Sequence, residues 1–141
     1  MNMLTRQEIF TKVVTHLRKQ GDKAMGRDPL DPEMPAGCMY RGENGTMCAV
    51  GCLIRDEVYT SDIEGYGVCN IGGGYLGEDH EAGRAYQTLA NALYESGVDV
   101  YEDRSLLEAL QKLHDREQTS DWELGFKAIA EVFELELPVL A

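Results

Sequence analysis

The stretch Cys48-Ala-Val-Gly-Cys-Leu-Ile54 is continuously apolar, and charge returns at once in Arg55, Asp56 and Glu57. Such a run has to be buried, and at this length its period does not separate helix from strand. Its small residues suit a deeply packed helix on which other helices close. Gly51 costs about 1 kcal/mol relative to alanine in a helix, and tight contact with a neighbour offsets that. A buried central helix is the expectation. Just before it, Asn44-Gly45 is a strong hairpin signal, because a type I′ turn needs positive φ at both central positions. Residues 39–41 and 46–48 are the flanking strand candidates, with Arg41-Gly42 as a place for a bulge. A short β-hairpin is therefore expected at 38–48.

The other segments read as helices that need this centre. Thr5-x-x-Glu8 is a capping box. Ile9, Phe10, Val13, Val14 and Leu17 follow it on one helical face, and Gly21 is a natural stop. Ala82, Ala85, Tyr86, Leu89, Ala90 and Leu93 predict a helix over 79–96, ended by Gly97, with 98–101 as an extended link. Ser105-x-x-Glu108 and Ser120-x-x-Glu123 are further capping boxes. The first leads into Leu106, Leu107, Leu110 and Leu113, the second into Trp122, Phe126, Ile129, Ala130 and Phe133. Pro29, Pro32 and Pro35 make 22–37 an extended connector. Thr60 or Ser61 starts a short turn, and 65–78 is a Gly-rich loop. The apolar tail 135–140 is expected on the surface or in an oligomer contact. The sum is one domain, 1–141, mostly α (α+β): about five helices around a buried central helix, with the hairpin at 38–48.

The formal net charge is −12, unevenly spread. Residues 1–27 hold six basic and two acidic side chains, +4, whereas 28–141 hold seven basic and 23 acidic, −16. That field disfavours direct binding of nucleic acid or an anionic membrane. It suits solubility, a basic partner, or imitation of a phosphate backbone. No apolar run reaches the roughly 18 residues of a spanning helix, and the N-terminus lacks the long apolar segment of a signal peptide. A cytoplasmic protein with reduced thiols is expected.

Tyr40-Arg41-Gly42, Gly45, the run Cys48 to Ile54 and Asp56-Glu57 resemble a family of small proteins of tailed phages and prophages. The later Leu107-x-x-Leu110-Gln111-x-x-His114-Asp115, then Trp122 and Ile129-Ala130, resembles the C-terminal half of the same family. With Gln7-Glu8-Ile9-Phe10 the resemblance covers most of the chain, but neither 66–79 nor 136–141. It implies phage or prophage origin, hence the cytoplasm of a bacterial host, and assigns no catalytic residue.

Cys38, Cys48, Cys52 and Cys69, with His80 and His114, are the candidate metal ligands. Cys48 and Cys52, at i and i+4, would share one helix face. Zinc frameworks usually set close cysteine pairs in two separate knuckles. Here one pair lies in an apolar run, and free cysteine is itself commonly buried. No metal is expected. The enzyme reading makes Cys48 a nucleophile at a helix start, with His114 as base and Asp115 nearby. Asp115 follows His114 directly, so its orienting role is not given. His114, at the edge of an apolar face, reads as a hydrogen-bonded histidine ending a helix. His16, amid polar residues, should face solvent. Gly72-x-Gly74-x-x-Gly77 matches a dinucleotide fingerprint, but Glu78, Asp79 and Glu81 would repel a pyrophosphate at the following helix start. No cofactor is expected. The favoured function is a small acidic phage accessory protein that binds a host macromolecule with a basic surface, a host-takeover or anti-defence factor. The alternative is a cysteine-dependent hydrolase or structural-zinc protein using Cys48, Cys52 and His114.

Overall fold

The computed structural model describes residues 3–26, 33, 37–68 and 81–139. The architecture is mostly α: among the described residues there are four α-helices, α1 (Arg6–Gln20), α2 (Glu81–Glu95), α3 (Val100–Arg116) and α4 (Trp122–Phe133), and a two-residue antiparallel pairing of β1 (Met25–Gly26) with β2 (Gly37–Cys38). The Gly-rich fingerprint, Cys69 and His80 lie outside the described residues.

α1 begins as its capping box dictates. The Glu8 backbone donates to Thr5 Oγ1 at 3.1 Å, and the Thr5 backbone donates to Glu8 Oε1 at 2.9 Å. It ends at Gly21, whose N–H bonds the Leu17 carbonyl. Ile9, Phe10, Val13, Val14 and Leu17 are all fully buried. They close on the central segment and on α3.

Cys48–Ile54 does form the buried centre, but as one 3-10 turn, Gly51–Leu53, rather than the expected α-helix. Two causes act together. Seven residues are too few to repay helix nucleation. Tertiary contacts also fix the backbone: Val50 N–H goes to Gln111 Oε1 at 3.0 Å, and Gly51 lies so close to the Tyr40 backbone that a Cβ there would overlap the Tyr40 carbonyl oxygen. Ile54 is already extended.

The Asn44-Gly45 turn has the expected form. Both residues have positive φ, 62° and 73°, and Thr46 N–H returns to the Glu43 carbonyl at 3.2 Å. The hairpin around it is reduced to one bridge, Arg41 with Met47. Its first arm is drawn away because Cys38 pairs with Met25 and Gly37 with Gly26. The expected connector 22–37 thus contains β1 and the first residue of β2, and its residues 27–32 and 34–36 lie outside the described residues.

α3 starts five residues before Ser105. Asp99 caps it, accepting from the Tyr101 and Glu102 backbones, so 100–101 are helical rather than a link and Ser105 lies inside. Ser120 does not cap α4 either: a 3-10 turn, Thr119–Asp121, leads straight into it. No helix among the described residues is long and apolar enough to cross a membrane.

Candidate functional site

Among the described residues, Cys38, His114 and Asp115 come together, with their ligand atoms within 4.8 Å of one another. β2 supplies Cys38, and the last turn of α3 supplies the other two. The leucine face of α3 drives that turn inward, so His114 is wholly buried. Its ring stacks on Trp122 with centroids 5.8 Å apart. Asp115, at the surface edge, turns back to His114 Nδ1 at 2.8 Å. Sequence reasoning left that orienting contact open.

The hydrogen bonds decide what this cluster can do. Ala24 N–H donates to His114 Nε2 at 3.0 Å. A backbone N–H can only donate, so Nε2 carries a lone pair and the ring proton sits on Nδ1, directed at Asp115 Oδ1. Neither nitrogen then has a free lone pair for a metal ion or for a thiol proton. Asp115 Oδ1 also accepts from Gln111 Nε2 at 2.7 Å, and Gln111 Oε1 accepts from Val50 N–H. A continuous chain of hydrogen bonds therefore ties the central turn, α3 and the entry to β1.

Cys38 is poised against reaction. Burial, then the Asp115 charge and its hydrogen bond, push its pKa up to about 11, opposed only by Lys23. Reactive cysteines sit in electropositive surroundings that favour the thiolate, and this one has the reverse. Cys48 is fully buried, and burial pushes its thiol well up. Cys52 is pushed to about 12, also by burial, and donates to the Ala49 carbonyl at 3.1 Å. Neither joins the cluster with His114. At pH 8 the thiolate fraction of Cys38 should lie on the order of 100-fold below that of an unperturbed cysteine. Alkylation by iodoacetamide, mapped to Cys38 by peptide mass, should be slowed accordingly, and Asp115→Asn should recover part of the rate. Alkylation as fast as a free thiol would contradict this electrostatic reading.

A second polar network was not foreseen. The Glu64 carboxylate accepts from Tyr40 N–H at 2.9 Å, Arg41 N–H at 3.0 Å and the Tyr59 hydroxyl at 2.6 Å. Arg41 donates to the Ile54 carbonyl at 2.8 Å, pairs with Asp56 at 3.0 Å, touches Met47 Sδ and lies over the Tyr59 ring. The Tyr40 hydroxyl donates to the Tyr66 carbonyl at 2.5 Å. The signal available in the sequence was Tyr-Arg directly before the turn, two large polar-tipped residues with nowhere to go but inward. His16 is likewise half-buried rather than solvent-facing: its Nε2 donates to the Met47 carbonyl at 2.9 Å. No family model, curated protein or solved structure matches the chain.

Proposed function

We propose that this chain is a small acidic accessory protein of phage or prophage origin that acts in the cytoplasm of a bacterial host by binding a host protein with a basic surface, to redirect host metabolism or blunt a defence system. The observation that carries the reading is an exposed apolar row on α4, Leu124, Ala128 and Val132, on a chain of net charge −12. Leu124 is 72% and Val132 75% exposed. They are eight residues apart, about 12 Å along a helix, with the exposed carboxylates of Asp121, just before the helix, and Glu131, within it. Apolar contact supplies affinity, and the acidic field steers a basic partner toward it. The saturated hydrogen bonds of His114 and the suppressed Cys38 thiolate weigh against the hydrolase and structural-zinc alternative.

The test is affinity capture from host lysate, followed by binding kinetics on the captured protein over a salt series, beside a gel-shift series on random duplex DNA. The association rate should fall as salt rises. Duplex DNA should not bind at physiological ionic strength, where a Debye length of about 8 Å screens distant charges but leaves contact repulsion intact. Sub-micromolar retention of duplex DNA, or an association rate indifferent to salt, would sink the proposal.

A further inference from the structure

Beyond Leu135 the described tail makes no backbone–backbone hydrogen bond to the rest of the chain. It is held instead by two side chains of α1. Gln7 reads both polar groups of one peptide unit: its Nε2 donates to the Glu136 carbonyl at 2.9 Å, and its Oε1 accepts the Glu136 N–H at 2.8 Å. Thr11 Oγ1 fixes the amide by accepting from the same Nε2 at 3.0 Å. Arg18 donates to the Pro138 carbonyl at 2.7 Å. Two bonds to Glu123, 2.8 and 2.7 Å, hold its guanidinium in place, over the Phe126 ring.

These contacts address main-chain atoms. They would hold any extended segment of the same shape, and they ask nothing of the exposed Glu136 side chain. Specificity comes from Leu135 and Leu137, half-buried against the core two residues apart, and from Pro138, which fixes an extended backbone. Val139 is 91% exposed. Fixed side chains reading a peptide backbone, with pockets for alternate side chains, is how extended peptides are recognised. The tail leaves α4 at Glu134, a non-glycine residue in the left-handed region (φ 56°) that caps the helix, and Leu135 N–H bonds the Ala130 carbonyl at 2.8 Å before the chain runs onto this surface.

We propose that the face of α1 bearing Gln7 and Arg18, beside α4, is a docking site for an extended partner peptide with two leucines spaced by one residue and followed by proline, and that residues 135–139 are its displaceable occupant in cis. A second copy is the poorer occupant, because each copy brings a net charge of −12 and like charges repel. This site is independent of the α4 row and of the basic partner argued above.

The experiment is a titration of isotope-labelled full-length chain with the unlabelled synthetic peptide Leu-Glu-Leu-Pro-Val-Leu-Ala, and with a scrambled peptide of the same composition. A short tether presents the tail at an effective concentration on the order of millimolar, so peptide at several times about 1 mM should displace at least half of it. The backbone amide signals of Glu136 and Leu137 should then move to unstructured positions, while the Gln7 side-chain amide keeps its bound shift. Full-length Leu135→Asp/Leu137→Asp should bind labelled peptide at least tenfold more tightly than the native chain, and adding Gln7→Ala should reverse that gain. Should the double variant fail to fold, the native-chain titration decides alone. Tail amides that do not move, or that move equally with scrambled peptide, would overturn the proposal. So would a concentration-dependent dimer in sedimentation without peptide, which would assign the site to the tail of a second copy.

Discussion

Trp122→Ala should lower stability by about 3–5 kcal/mol, read as a drop in urea midpoint at unchanged slope. Trp122 is 3% exposed at the start of α4, stacked on His114 and tilted against Phe126. Truncation opens a cavity where α3, α4 and the His114 relay meet. A domain of this size holds roughly 5–15 kcal/mol in total, so the variant should stand near the edge of folding. The indole N–H has no hydrogen-bond partner among the described residues. Trp122→Phe therefore forfeits area but no hydrogen bond, and should cost well under half as much. An alanine variant within about 1 kcal/mol of the native chain would mean that α4 does not pack on α3 through this ring.

Gly51→Ala should cost about 3 kcal/mol or more, at the upper end for overpacking. A Cβ at this position would overlap the Tyr40 carbonyl oxygen and lie 2.9 Å from its carbon. Tyr40 cannot retreat, because Glu64 holds its N–H and its hydroxyl is bonded to Tyr66. The sign of the result separates two structures. In an ordinary helix the same change would stabilise by about 1 kcal/mol. Gly45→Ala is the matched control: φ is positive there, but nothing lies within 4 Å of the added carbon. It should cost only the roughly 1–2 kcal/mol of a left-handed alanine.

What the sequence made legible were features in which local chemistry and tertiary packing agree. The Thr5–Glu8 box, the Asn44-Gly45 turn and the leucine face of α3 each form because neighbours within four residues suffice. The misreadings share a cause. Cys48–Ile54 looked helical, but Gln111, 61 residues away, and Tyr40 set its backbone. Ser105 and Ser120 matched a capping pattern, but Asp99 and a leading 3-10 turn started those helices first. At the candidate site the residue types were legible and their roles were not. His114 and Asp115 stand out in the sequence, yet the Ala24 N–H that fixes the imidazole tautomer is 90 positions away and carries no side-chain signal.

The bonds that hold α1 reach far along the chain: Arg6 to Asp103, Arg18 to Glu123, Gln7 to Glu136. A ribosome adding about 5–20 residues per second makes α1 first and its partners last. Between the emergence of Arg18 and that of Glu123, 105 residues later, roughly 5–20 s pass. For the first part of that interval, until Cys48–Ile54 and then α3 have been made, Ile9, Phe10, Val13, Val14 and Leu17 form an apolar stripe with no native cover. A nascent chain stalled before Cys48 would present that stripe to chaperones and to other nascent chains, and the middle of the message, through α3, sets when it is withdrawn.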